Sequence, residues 1–129
     1  MSEPTITVAA IAFVRVDGQV LTVRKRGTST FMLPGGKPEA GERPIDTAIR
    51  EVHEELGIDV APEQLTLLGD FTSRAANEAG HALEATVFRA AIVSEPEVRA
   101  EIEELRWEDP SVPTEARSPL NTEHVFPLL

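Results

Sequence analysis

The stretch that decides the fold is GKPEAGERPIDTAIREVHEELGI, residues 36–58. Pro44 suits the first turn of a helix, and Gly57 suits the left-handed position that ends one. Between them, apolar residues recur at helical spacing and form a single stripe. The members of this stripe are Ile45, Ala48, Ile49, Val52 and Leu56. The spacing therefore predicts a helix that starts at Pro44, stops at Gly57 and packs its apolar stripe on a core.

A second face of the same helix concentrates negative charge. Glu51, Glu54 and Glu55 lie three and four positions apart, which places them within an arc of about 100°. Carboxylates at this spacing repel one another unless a cation lies between them. Mg²⁺ and Mn²⁺ prefer carboxylate and phosphate oxygens, so either ion fits such a cluster. The common alternative is a solvated acidic face, which the segment REVHEEL by itself does not exclude.

The positions around these carboxylates follow a fixed pattern. Gly36 is followed after five free positions by Glu42 and after seven more by residues 50–58, REVHEELGI. With this pattern the chain resembles the Nudix hydrolases, and it fills every fixed position of their motif. At average residue usage a chance match at one site is on the order of 10⁻¹⁰. The resemblance implies a mixed α/β fold in which a mixed β-sheet lies between α-helices.

The resemblance also implies the chemistry, which is hydrolysis of a nucleoside diphosphate linked to another group. It implies that Glu51, Glu54 and Glu55 hold the metal, and that Arg50 and Glu42 support the loop and the catalytic helix. Arg50 is also placed to fix the rotamer of Glu54, four residues further on. One carboxylate, Glu51 or an acid outside the motif, would act as general base. The sequence leaves open which one it is and how many metal ions bind.

Members of the family often carry a further glutamate near the metal, in the region of residues 99–107. Glu101 and Glu104 are the candidates, and Glu101 matches the usual arrangement better. The alternative that this whole acidic run is solvated stays open. Glu108 and Asp109 lead into a loop punctuated by prolines, so we expect them to be solvated and to have no role in the site.

Candidate substrate contacts lie mostly outside the motif. Arg24 and Arg26 share one face of a predicted strand and could reach a phosphate, although charged strand ends at the surface are commoner. Phe31 stands where Nudix proteins often carry tryptophan. Gly36 belongs to a glycine pair that lets the chain turn tightly beside the metal. These four residues are the predicted substrate-binding set.

Residues that mark particular Nudix branches are missing from this chain. The window 73–76 has neither the proline typical of ADP-ribose hydrolases nor the tyrosine typical of dinucleoside polyphosphate hydrolases. The resemblance then favours a small MutT-like hydrolase of a nucleoside triphosphate, ordinary or oxidised. A nucleotide sugar such as ADP-ribose is the alternative substrate. A non-catalytic nucleotide sensor is a third reading, but such proteins commonly lose motif carboxylates that this chain keeps.

Size and composition agree with this prediction. A chain of 129 residues with 41% hydrophobic and 26% charged residues fits one globular domain, residues 1–129. A net charge of −10 argues against a nucleic-acid partner, which would need clustered cations. The chain has no cysteine and no membrane-length apolar stretch, so we expect a cytoplasmic protein without a membrane partner. Homodimers are frequent in the family, but the sequence does not fix the oligomeric state.

The remaining pattern predicts strands and a second helix. Alternating and β-branched segments predict strands at residues 5–16, 19–26, 31–33, 65–76, 81–93 and 105–107. The run from Val8 to Val14 is continuously apolar, which indicates burial on both faces of the first strand. The C-terminal segment predicts a short helix capped at Asn121 or Thr122, with its apolar residues packed inward.

Overall fold

A computed structural model of the protein describes residues 4–92 and 94–129. Its secondary structure alternates strands with one full helix. The strands are β1 Thr5–Val14, β2 Val20–Lys25, β3 Gly35–Gly36, β4 Thr66–Arg74, β5 Ala82–Ala91 and β6 Ile102–Glu108. The helix is α1 Pro44–Leu56, and short helical turns follow at Pro62–Gln64, Asn121–Val125 and Phe126–Leu128.

The strands form one mixed sheet in the order β4-β5-β1-β2-β6, with β3 also paired to β1. β1 runs parallel to β5 from the Thr5–Ala82 pair to the Val14–Ala91 pair. All the other strand pairs are antiparallel. The pairing confirms the predicted mixed sheet and the α/β class.

β1 is buried on both sides, as its continuous apolar run predicts. Ile11 and Phe13 pack in the cluster that includes Ala48, Val52 and Leu56 of the apolar stripe of α1. Ala10 and Ala12 belong to a second cluster, which the C-terminal turns cover with Val125 and other apolar residues. The sheet therefore lies between α1 and the C-terminal helical segment. No helix in the described ranges is both long and apolar enough to cross a membrane.

α1 begins and ends where the sequence predicts. Pro44 lies in its first turn, and Gly57 follows it with φ 67°, donating its N–H to the His53 carbonyl. The left-handed backbone angle favours glycine at this position, and a Cβ there would also have to displace the Arg99 guanidinium, whose Cζ would lie 2.6 Å away. Next to this turn, the Glu97 and Arg99 N–H groups donate to the last carbonyls of α1, at 2.9 and 3.0 Å. The chain leading to β6 is thereby fixed to the end of the helix.

Several predicted boundaries were wrong. The predicted strand at 31–33 consists of isolated bridges, Val23–Met32 and Phe31–Arg117, because the Phe31 backbone pairs with the C-terminal segment instead. β6 starts earlier than predicted, at Ile102, because Ile102 already pairs with Lys25 at the end of β2. β5 ends at Ala91, and residue 93 of the predicted strand lies outside the described residues.

Two predictions about polar residues were also wrong. The C-terminal turn is capped by Ser118, whose Oγ accepts the Asn121 N–H at 3.3 Å, and not by Asn121 or Thr122. Glu108 is buried and not solvated, because arginines from β6 and from the C-terminal segment neutralise its charge.

Candidate active site

Arg50 lies among the carboxylates of the motif. Its Nε and Nη2 donate to Glu42 at 2.7 and 2.9 Å, and its Nη1 donates to Glu51 at 3.0 Å. Nη1 also lies 3.4 Å from Glu54, and Nη2 donates to the Lys37 carbonyl at 3.1 Å. One guanidinium thus ties the loop before α1 to the acidic face of α1. This is the geometry that the predicted supporting role of Arg50 requires.

Glu42 is the strongest partner of Arg50. It also accepts the Glu39 N–H at 2.9 Å and the Thr47 hydroxyl at 2.7 Å. The Arg50 hydrogen bonds, followed by those from Glu39 and Thr47, lower the pKa of Glu42 to about 2. Glu42 therefore holds the loop as an anion, which agrees with its predicted structural role.

We expect this anion to make part of the stability depend on pH. The pKa of Glu42 is lower in the folded protein than its ordinary value of 4.5, so its ionised form stabilises the fold above that value. This contribution should disappear as the pH falls from 4.5 towards about 2. The difference in unfolding free energy between wild type and Glu42→Gln, measured by urea titration, should shrink over the same window. Glu63→Gln, at an exposed turn, is the control, and a difference that does not change with pH would contradict the assignment.

Glu51 and Glu55 lie deeper, against the glycine loop. Glu55 is only 2% exposed, and its Oε1 accepts the Gly35 N–H at 3.1 Å. Burial raises the pKa of Glu55 to about 8. Burial also raises the pKa of Glu51, against the opposing effect of its bond with Arg50. A Cβ on Gly36 would come within 2.5 Å of Cδ of Glu51, so the glycine at this position lets the loop pass directly over the carboxylate.

These carboxylates suit a hard divalent cation in their chemistry. Oε2 of Glu55 is buried without a hydrogen-bond partner among the described residues, which is unusual for a polar atom. Oxygen donors of this kind are the ligands of Mg²⁺ and Mn²⁺. Within residues 4–92 and 94–129, no three acidic or histidine side chains already converge as a ready ligand set. Glu51 and Glu54 instead bond to Arg50, so ligation by all three would require them to exchange that partner for the ion.

Glu101 reaches this region from the opposite side. Its carboxylate pairs with Nζ of Lys25 at 3.1 Å, and both side chains line the same cavity as Glu51. The preceding residue, Ala100, has a left-handed φ of 52°, at the point where the chain turns into β6. Glu104 pairs with Arg24 at 3.0 Å on another face of the strand pair. Of the two candidate glutamates, the structure brings Glu101 to the site.

The basic residues at the end of β2 and just after it differ in whether they line the cavity. Lys25 lines the cavity, whereas Arg24 and Arg26 pair with Glu104 and Glu103 and lie outside the lining that the described residues form. The pairing of β2 with β6 shifts register between Arg24 and Lys25, and Arg26 lies beyond the end of β2, so simple alternation does not assign the faces of these side chains. The sequence gives no sign of this irregularity. A substrate role for Arg24 and Arg26 stays a prediction, and the geometry favours Lys25.

Phe31 is likewise not part of the described cavity lining. Its ring is buried, and Cζ of Arg106 lies 3.8 Å from the ring centroid. Gly36 of the predicted substrate-binding set does line the cavity.

The cavity itself has a volume of about 440 Å³, within the range of small-molecule sites. We call the part of the lining with Lys25, Lys37, Glu51 and Glu101 the charged end, where Glu78 also lies 3.8 Å from Lys37. The rest, the aliphatic end, is mainly apolar and includes Ile6, Val8, Met32, Leu83, Ser118 and Leu120, although Arg74 also lines the cavity. The charged end has no excess of positive charge, so a ligand that is anionic there and weakly polar at the other end matches this division when a divalent cation is bound.

Comparison with known proteins decides the family. The NUDIX domain model matches residues 4–129. The chain belongs to the NUDIX family. A MutT-like protein of Streptomyces ambofaciens is 40% identical over 70 residues, covering 54% of this chain and 45% of that protein. An isopentenyl-diphosphate Delta-isomerase of Cutibacterium acnes is 38% identical over 73 residues, covering 50% of this chain and 36% of that protein.

The chain thus spans less than half the length of these two relatives. A solved structure is similar over the whole chain. It is a MutT NUDIX hydrolase from Burkholderia pseudomallei, with a TM-score of 0.82 and 26% identity, covering 98% of this chain and 99% of that one. The predicted family and the predicted fold are therefore confirmed, and the likeness to named hydrolases supports an enzyme. Nudix hydrolases as a family generally use divalent metal ions.

Proposed function

We propose that the chain is a metal-dependent Nudix pyrophosphohydrolase that cleaves a nucleoside triphosphate to the monophosphate and pyrophosphate. The observation that carries this proposal is the division of one cavity into a charged and an aliphatic end. Glu51 and Glu101 border the charged end, and Glu55 lies directly behind Gly35. A triphosphate joined to a nucleoside has the same division of charge.

Mg²⁺, with Mn²⁺ as a substitute, is the proposed cofactor, held by Glu51, Glu54 and Glu55 with Glu101 facing them. When bound, such an ion supplies a nucleophilic water at neutral pH, polarises the phosphoryl oxygens and neutralises charge on the leaving phosphate. The buried, unpartnered oxygen of Glu55 supports this assignment.

The side chains of the site divide the remaining work. Lys25 and Lys37 lie at the charged end and are placed to bind phosphate oxygens. Glu51 and Glu101 border the same space, and one of them would accept the proton of the attacking water. Arg50 holds Glu51 in a fixed rotamer, which keeps the carboxylate oriented before substrate arrives.

A buried amide lies next to the aliphatic end of the cavity. Asn121 is fully buried, and within the described residues neither its Nδ2 nor its Oδ1 has a hydrogen-bond partner. It directly follows Leu120, which lines the aliphatic end, but Asn121 itself is not among the lining residues. Its donor and acceptor would meet a base edge only if the side chain turned towards the cavity.

A substrate panel tests the proposed reaction. The purified protein, with Mg²⁺ or Mn²⁺, would be assayed against ordinary and oxidised nucleoside triphosphates, ADP-ribose and a 5′-triphosphorylated RNA. We expect pyrophosphate release from a nucleoside triphosphate. Cleavage of ADP-ribose alone would favour the nucleotide-sugar reading. Tight binding of a nucleotide without cleavage under either metal would identify a sensor and reject the enzyme.

The two candidate glutamates outside the motif provide a matched pair of variants. We expect Glu101→Gln to lower kcat by at least about tenfold, because loss of a group that supports a metal site typically costs 10- to 100-fold. Glu104→Gln should stay within about twofold, since its carboxylate pairs with Arg24 away from the cavity. The readouts are kcat and the Mn²⁺ concentration for half-maximal activity. A larger loss of kcat in Glu104→Gln than in Glu101→Gln would assign the metal-site role to Glu104 instead.

A further inference from the structure

A buried charge network lies outside the proposed catalytic groups. The carboxylate of Glu108 is 1% exposed and the side chain of Arg117 only 5%. Arg117 donates from Nε to Glu108 Oε1 at 2.9 Å, while Arg106 lies 3.2 Å from Oε2 and the Thr22 hydroxyl donates to Oε2 at 2.8 Å. Removing these charges from water is costly, so stability alone is a weak explanation for a network of this kind.

The two arginines of this network bind the chain that follows β6. Nη2 of Arg117 donates to the Val112 carbonyl at 2.7 Å, and its guanidinium stacks on Phe126 with Cζ 4.4 Å from the ring centroid. Nη2 of Arg106 donates to the Glu115 carbonyl at 3.0 Å. The two arginines thereby fix the loop at several points, and Glu108 fixes both arginines.

The segment that the two arginines bind continues into the wall of the cavity. Ala116 has a left-handed φ of 61°, and its carbonyl accepts the Phe31 N–H at 2.7 Å. The Phe31 carbonyl in turn accepts the Ser118 N–H at 3.0 Å. Ser118 and Leu120 then line the aliphatic end of the cavity. The position of this wall is therefore set by contacts that lead back to Glu108.

A neighbouring part of the lining depends on the same network. Arg106 stacks over the ring of Phe31, and the next residue, Met32, lines the cavity. Phe31 is thus held by Arg106 through its ring and by the 116–118 segment through its backbone, with which it forms a parallel bridge at Arg117. Two adjacent parts of the aliphatic lining therefore share one buried anchor.

We propose that Glu108, acting through Arg106 and Arg117, is a positioning residue that sets the position of the wall at the nucleoside end of the cavity. The proposal rests on the function proposed above. Glu108 is not among the lining residues of the cavity. It holds the aliphatic wall in place relative to the charged end and so selects which nucleoside fits while the phosphates are engaged.

Two variants separate positioning from simple stability. Removing one partner of a buried ion pair is strongly destabilising, whereas replacing both by apolar residues of similar volume is often neutral. The double variant Glu108→Met/Arg117→Met leaves Arg106 without its carboxylate, but that side chain is 26% exposed and keeps its bond to the Glu115 carbonyl. The double variant should therefore fold and yet lose the contacts of Arg117 with the loop. Arg117→Lys keeps a positive charge beside Glu108, but a lysine cannot bond Glu108 and the Val112 carbonyl at the same time as the guanidinium does. If the double variant does not fold, the proposal is tested on Arg117→Lys. Arg43→Gln/Asp46→Asn, an exposed pair on α1, is the control.

The measurements are KM and kcat for two nucleoside triphosphates with different bases, thermal unfolding, and Mn²⁺ binding to the protein alone. In the folded variants we expect KM for the preferred nucleotide to rise about tenfold or more, because small misplacements of a binding wall have effects of this size. The preference between the two bases should shrink, while kcat at saturation and Mn²⁺ affinity stay near wild type. The control should match wild type in every readout.

Wild-type KM and base preference in a folded variant would overturn the proposal. Parallel losses of kcat and Mn²⁺ affinity would also overturn it, since they would show a general structural role. Calorimetric binding of a triphosphate with a methylene bridge between the α and β phosphorus atoms adds a readout without turnover. If the wild type binds this analogue but cleaves no nucleotide, the proposed function fails, while the effect of Glu108 on binding is still measured.

Discussion

Glu54→Gln is expected to lower kcat by at least about a hundredfold. The glutamine has nearly the same shape, but it provides neither an anionic metal ligand nor a base, and groups in such roles contribute at least this factor. The side chain is 51% exposed, and its contact with Arg50 is long, at 3.4 Å. Its replacement should therefore cost no more than about 1 kcal/mol of stability. Steady-state kinetics with Mg²⁺, together with thermal unfolding, would separate the two effects.

Asp46→Asn is the matched control for Glu54→Gln. It removes one carboxylate from the first turn of the same helix, where Asp46 pairs with Arg43. Its kcat should stay within about twofold of wild type, as expected for an exposed pair. Unchanged turnover in Glu54→Gln would remove Glu54 from the site.

Arg50→Ala is expected to lower both stability and turnover. Charge-assisted hydrogen bonds are each worth about 1.5–3 kcal/mol, and Arg50 makes several, to Glu42, Glu51 and the Lys37 carbonyl. Its side chain is 23% exposed, so solvent weakens these bonds, and we expect a net loss of about 2–3 kcal/mol. Glu51 would also lose its fixed rotamer, so kcat should fall at least about tenfold. Urea unfolding and steady-state kinetics measure the two losses.

Two further variants test the reason given for Arg50. Arg50→Lys restores the charge without the planar fork and should recover only part of the stability. Arg43→Ala removes an exposed arginine near the start of α1 and should leave stability close to that of the wild type. Equal stabilities for Arg50→Ala and Arg43→Ala would show that the network around Arg50 contributes little.

The sequence predicted the features that depend on neighbouring residues. The start of α1 at Pro44 and its end at Gly57 follow from backbone preferences of single residues, and both are confirmed. The burial of β1 on both faces follows from its apolar run. The family follows from a motif of contiguous residues, so no tertiary information was needed to find it.

Features that depend on distant partners were missed. Lys25 and its two arginine neighbours look alike in sequence, and only the packing of β2 beside Glu101 decides which one faces the cavity. Glu108 looks solvated in an acidic run, because its partner Arg117 comes from the far side of a loop. A charge at a strand end that is followed by an arginine-containing loop is a weak signal for such a pair.

The parallel pairing of β1 with β5 has a consequence for how the protein folds. Thr5 pairs with Ala82 and Val14 with Ala91, so the centre of the sheet joins two segments far apart in the chain. Such contacts form only after a large loop has closed, and they slow folding relative to local pairings. On the ribosome, the apolar residues of β1 emerge long before β5 is available. During that interval they are exposed to aggregation, and protection by a chaperone would matter most then.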